Sequence, residues 1–160
     1  MLSLGVLCII WDMNSIAQEL KSTLAVAERL HSISEAAASV RPAPGKWSCK
    51  EILGHLTDSA ANNHQRFVRL QLSGRLELPG YAQDDWVRVQ RYQDEAWFDI
   101  VNLWQMYNTH LVTVIRHVAP STLRNTWKAP GGEELDLEFI IRDYVRHMRH
   151  HLDQILSRVA

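Results

Sequence analysis

Along most of this chain apolar residues recur every three or four positions, the period of a helix with one buried face. Four segments carry the pattern. From Ser15 to about Ser39 the repeat is Ile16, Leu20, Leu24, Ala27, Leu30 and Ile33, with Ser15 and Gln18 spaced as a capping box. The prolines and glycine of Val40-Arg-Pro-Ala-Pro44-Gly45-Lys46-Trp47 end it, because proline lacks the amide proton that the helix ladder needs. A second helix starts at Ser48, with Glu51 three residues on as the reciprocal acid and Trp47 stapling the first turn. Its stripe is Ile52, Leu56, Ala60, Phe67 and Leu70, and it ends near Ser73-Gly74. A third runs from Asp94 to about Val118 on Trp97, Val101, Trp104, Leu111, Ile115 and Val118, and Pro120 stops it. The fourth begins at an Asp136 cap and carries Leu137, Ile140, Ile141, Tyr144, Met148, Leu152 and Ile155 almost to the C-terminus.

Between the second and third helices the segment after Arg75 has no sustained period, although Asp84 to Tyr92 is expected to form a short helix. Tyr81, Trp86 and Tyr92 are expected to pin this crossing. A connection of this length can cross the end of a bundle, so the helices it joins need not be antiparallel neighbours. Trp127 to Gly132 reads as an irregular turn or small ribbon. Four long amphipathic segments with one long middle connection predict an all-α four-helix bundle.

Composition changes the picture only by exclusion. With 160 residues and 46% hydrophobic content the chain suffices for one domain with a proper core, placed at residues 14–160. A net charge of −1, with Lys and Arg dispersed, offers no basic stripe for nucleic acid. Residues 1–13 are set apart as an N-terminal extension. They are apolar but too short to span a bilayer, and they lack the charged start and cleavage site of a signal peptide. Translation is expected to start naturally at Met13, which makes residues 1–12 a mis-assigned start. Cys8 and Cys49 form no CxxC and no disulfide framework, so no membrane location and a reducing cytoplasm are expected. Cys49, in the first turn of the second helix, reads as a plain buried or half-buried thiol.

The chemistry lies in histidines. His147 and His151 sit one helical turn apart along the edge of the fourth stripe, which brings both imidazoles within reach of one divalent ion. His150 falls on the far side with Arg142, Arg146 and Arg149 and reads as solvated. Two histidines rarely complete a site, and His55, flanking the second stripe, is the candidate third. The plain structural reading stands beside this one: histidines at an apolar edge are commonly packed and hydrogen-bonded without metal. Ser59, Asn62 and Arg66 follow His55 within a narrow band of helix angle and are candidate pocket residues, Arg66 for an anionic substrate group. The alternative for Asn62 and Arg66 is a partly exposed helix edge. Asn63, nearer the stripe centre, needs a partner if buried. Asn108, mid-face on the third helix, must be hydrogen-bonded, either to a substrate or ligand shell or to neighbouring backbone or water. His110 and His117 fall off that face.

Several of these pieces in order look familiar. Pro44-Gly-Lys-Trp-Ser48 with Glu51, Gly54-His55-Leu56 with Asp58-Ser59, Arg66-Phe67, Leu78-Pro79-Gly80-Tyr81, and Tyr144-x-x-His147-x-x-x-His151-x-x-Gln154 together resemble the DinB/YfiT-like superfamily over about residues 14–157. The resemblance implies an up-down-down-up bundle, a divalent metal on His55, His147 and His151, and a homodimer. It also implies either of two activities: candidate metal-dependent hydrolases, or S-transferases and isomerases using bacillithiol, mycothiol or glutathione.

Three neutral imidazoles leave positions open on zinc or nickel, with iron or manganese also admitted, and offset none of the charge. A water or thiol held there would lose its proton near neutrality. The expected partner is therefore a small-molecule substrate, with a low-molecular-weight thiol as the candidate co-substrate. Gln154 is the expected hydrogen-bond partner of the ligands, with Asp58 and Asp143 as weaker ones. No residue stands out as general base. Paired ExxH motifs for di-iron chemistry and the HExxH of zinc peptidases are both missing. The rival reading is a non-catalytic dimeric bundle that binds a metal or small ligand.

Overall fold

The computed structural model describes residues 4–159, with side chains from Met13 onward. The expected start at Met13 turns on residues that lie largely outside this description.

Helix α1 (Leu4–Thr23) is already helical ahead of Ser15, so the Ser15–Gln18 capping box does not form. No proline or turn cluster precedes Ser15, and nothing in the sequence stops the ladder there. The helix expected to run on to Ser39 is instead broken. After a 3-10 turn at Leu24–Val26 comes α2 (Ala27–His31), and Ser34 then caps a separate α3 (Glu35–Ser39) by accepting from the Ala37 amide. Serine side chains compete with the helix ladder, and Ser32 Oγ donates to the Arg29 carbonyl at 2.7 Å where α2 stops. The break serves packing. Glu35 Oε2 accepts from the Trp97 amide at 2.8 Å and pairs with the buried Lys50, so a distant acid caps a helix that has no capping side chain of its own.

Helix α4 (Cys49–Leu72) starts as expected, with Ser48 and Glu51 forming a reciprocal capping box. The crossing that follows contains strand β1 (Arg75–Glu77) and helix α5 (Gln83–Gln90), which Arg91 ends in a left-handed conformation at φ 58°. The third long helix starts later than the sequence suggests. Tyr92–Asp94 is a 3-10 turn and α6 spans Trp97–Arg116. Strands β2 (Thr126–Lys128) and β3 (Glu134–Asp136) form the ribbon before α7 (Leu137–Leu156), which Asp136 caps through the Phe139 amide.

Helices α1, α4, α6 and α7 make the four-helix bundle, with α4 packed against both α6 and α7 and α1 against the same two. Its connectivity is up-down-down-up. Leu20, Leu30, Phe67, Trp104, Leu111 and Met148 are among the side chains fully sealed inside. The sheet is a feature that the hydrophobic period did not announce. β1 pairs parallel to β2, with Leu76 opposite Trp127, and β2 pairs antiparallel to β3. Strands this short carry too few residues for a readable alternation.

The crossing is fastened to α4 at Gly54. The Tyr92 ring lies so close there that an added Cβ would come within 2.2 Å of it. Its hydroxyl donates to Asp58 Oδ1 at 2.6 Å, one turn further along α4. Among the described residues no helix is long and apolar enough to cross a membrane.

Candidate metal centre

His55 lies in the second turn of α4, against His147 and His151 of α7 and the rings of Trp47 and Tyr81, and it is 2% exposed. His147 and His151 come from consecutive turns of α7 and are half-buried. The three ring centroids are 5.2, 5.0 and 4.6 Å apart, and one nitrogen from each ring lies within 4.8 Å of the others. His55 Nε2 and His147 Nε2 are 3.3 Å apart. Two nitrogens each 2.0–2.1 Å from a tetrahedral zinc would be separated by roughly 3.3 Å, so the spacing fits a shared ion.

The protonation of the cluster fits too. Burial, reinforced by the mutual repulsion of the three rings, pushes His55 down to about 3 and His147 down to about 4, and burial also lowers His151. All three are therefore neutral at physiological pH, with lone pairs free for a cation. His151 Nδ1 donates to Gln154 Oε1 at 2.9 Å, which fixes the tautomer and leaves Nε2 as the donor atom toward the cluster. The Gln154 amide in turn bonds His150 Nε2 at 3.1 Å, while His150 itself is exposed. Trp47 covers His55 from one side at 5.1 Å and Tyr81 from the crossing lies 6.4 Å away.

A cavity of about 260 Å³ opens beside His55 and His147. Ser59 and Arg66 line it, together with Tyr81, Trp127, Asp143 and Tyr144. Asn62 does not. It bonds back to the Asp58 carbonyl at 2.9 Å, and its neighbour Asn63 takes the cavity wall, donating to the Ser59 carbonyl at 3.0 Å. The difference is geometric: Asn63 lies nearer the centre of the apolar stripe and is buried there, whereas Asn62 sits half-buried at the helix edge. Asn108 is also displaced from the pocket. It is fully buried behind Tyr144, whose hydroxyl donates to its Oδ1, and its own amide reaches the Trp104 carbonyl at 2.8 Å. Asp58 does not support the histidines, because Tyr92 and Gln90 occupy its Oδ1 on the crossing side. Tyr81 and Trp127 had no local signal for a site role, since only the tertiary course of the crossing and the sheet brings them to the wall.

Residues 16–155 match the DinB superfamily. The chain belongs to that superfamily. Curated relatives within it are similar at low identity. One from Oceanobacillus iheyensis is 25% identical over 116 residues, 71% of this chain and 65% of its own length. One from Halalkalibacterium halodurans is 20% identical over 140 residues, 85% of this chain and 81% of its own length. Both bear the name of a candidate metal-dependent hydrolase. Among solved structures YfiT of Bacillus subtilis superposes with a TM-score of 0.72 at 18% identity, covering 99% of this chain and 88% of that one. That protein is likewise described as a candidate metal-dependent hydrolase, with an unusual four-helix bundle topology. This DinB-superfamily chain therefore shares the bundle, and its three histidines are a cluster able to hold a metal ion.

Proposed function

We propose that this DinB-superfamily protein is a metal-dependent enzyme that activates a water or a low-molecular-weight thiol on His55, His147 and His151, acting as a hydrolase or a thiol-dependent S-transferase. The observation that carries the reading is three neutral imidazoles with metal-compatible spacing in the wall of a cavity sized for a small molecule. A divalent ion bound there would supply Lewis acidity and lower the pKa of a water or thiol. The chain's own residues divide the remaining work. Gln154 holds the His151 ring in register, and Trp47 and Tyr81 limit water access to His55. Asp143, one turn before His147, also lines the cavity and is paired with Arg146. The candidate ligands are three neutral imidazoles, so they would offset none of the charge of a bound ion.

Untagged protein purified from its source should carry a divalent metal in equimolar amount. Metal-loaded protein should turn over an electrophile with a low-molecular-weight thiol, or hydrolyse an activated ester or amide, and His151→Ala should lose this activity together with the metal. Equal inactivity of wild type and variant, with metal retained by the wild type, would leave a non-catalytic binding bundle as the better description. Wild-type protein without metal would remove the site altogether.

A further inference from the structure

Arg66 is a cation without a counter-ion. It is 8% exposed, yet among the described residues no carboxylate pairs with it. Its Nη1 donates to Asn63 Oδ1 at 3.0 Å, and its guanidinium carbon stands 3.8 Å from the centroid of the Trp127 ring. Asn63 is fixed in turn by Ser59, through the carbonyl at 3.0 Å and Oγ at 3.3 Å. Trp127 is fixed by its indole N–H, which donates to the Leu78 carbonyl at 3.1 Å, and by its place in β2. The guanidinium is thus clamped between an amide and an indole face, both spent on holding it. Arg66 lines the same cavity as His55 and His147.

A buried guanidinium normally keeps a carboxylate or phosphate partner, because its desolvation is otherwise uncompensated. The acid that lines this cavity, Asp143, pairs with Arg146 on α7 and lies beside His147. Asp58 faces Tyr92 and Gln90. Neither is a partner of Arg66. The guanidinium is held in place by Asn63 and Trp127, with no protein carboxylate among the described residues to balance it.

We infer that Arg66, positioned by Asn63 and Trp127, binds an anionic oxygen group, carboxylate or phosphate, at the end of the substrate remote from the three histidines. Asn63 follows His55 by eight residues, which places the amide that holds Arg66 about 12 Å from His55 along α4. The substrate is then an elongated small molecule with its reacting atom at the histidines and its anion at Arg66. This inference rests on the metal-site reading above and adds the substrate class to it.

The test uses cobalt(II)-loaded protein and two series of thiols of increasing chain length, ω-mercaptoalkanoates and the matching ω-mercaptoalkanols, with affinity read from the visible spectrum of the cobalt. At intermediate lengths the acid should bind about tenfold to a hundredfold more tightly than the alcohol, the range of a charge-assisted hydrogen-bond pair. Arg66→Gln should abolish that gain and leave the alcohol unaffected. Arg66→Lys, which keeps the charge but loses the fork, should retain part of it. A parallel phosphonate series shows whether carboxylate or phosphate gains more. Equal affinity of acid and alcohol at every length in the wild type, or a gain that survives Arg66→Gln, overturns the inference while leaving the metal site intact. A protein that takes up no cobalt overturns the metal reading, and the inference with it. Where Arg66→Gln does not fold, the wild-type comparison of acid with alcohol still decides.

Discussion

Replacing Gly54 with alanine tests whether the crossing segment is locked onto the helix that carries His55. The new Cβ would lie 2.2 Å from Tyr92 Cδ2 and 2.3 Å from Cγ, against ordinary contacts that begin at 3.4 Å. The ring must therefore retreat by more than an ångström. It cannot do so freely, because Tyr92 is 3% exposed and its hydroxyl bonds Asp58 at 2.6 Å. Overpacking of this kind costs about 1–3 kcal/mol, and losing a hydrogen bond to a carboxylate about 1.5–3 kcal/mol. Alanine returns about 1 kcal/mol of helix propensity over glycine. The net expectation is a destabilisation of roughly 2–4 kcal/mol, read as a shift of the urea midpoint with an unchanged slope. The same substitution on a Tyr92→Ala background should have the opposite sign and stabilise by about 0.5–1 kcal/mol, because the clash is gone and the propensity gain remains. Metal affinity should weaken in Gly54→Ala as well, since His55 is the adjacent residue. A Gly54→Ala protein as stable as wild type, or equal effects on the two backgrounds, would refute the account of the lock.

Gln154→Leu removes the acceptor for His151 Nδ1 while keeping the side-chain bulk, and metal affinity should fall about 10–100-fold with little change in fold; competition with a calibrated chelator measures it, and an unchanged affinity would show that the tautomer is set otherwise. The metal-free protein should lose stability on acidification. His55 and His147 titrate at about 3 and about 4 in the folded chain but near their ordinary value of 6.5 when unfolded, so between those limits the unfolded state binds more protons. Stability should be constant above about pH 6.5 and decline below it, by up to about 1.4 kcal/mol per pH unit for each imidazole. Urea midpoints at pH 7 and pH 5 check this, with His147→Gln expected to lose part of the decline; a midpoint that holds or rises at pH 5 would contradict the burial argument.

Local regularities explain why so much of the bundle could be read from the chain. The stripes of α4, α6 and α7 bury the residues that the helical period selects, and Ser48 with Glu51 and Asp136 act as the caps their spacing suggests. Failures of reading cluster where distant residues intervene. Helix α6 begins at Trp97 because Glu35 caps it from another segment, and Asn62 yields its expected place to Asn63 because the pocket wall follows the packing of the bundle and not the ideal angle of one helix.

By itself the sequence determined the long helices of the bundle and the spacing of the candidate histidines on the last of them: a helix fixes which residues share a face, and His147 and His151 are one turn apart wherever that helix goes. Tertiary structure alone decided that His55 meets them and that Tyr81, Asn63 and Trp127 complete the cavity around Arg66. Those meetings depend on the path of a long crossing and on three short strands, whose pairing is a balance of packing and hydrogen bonds across the whole molecule and leaves no periodic trace in the residues themselves.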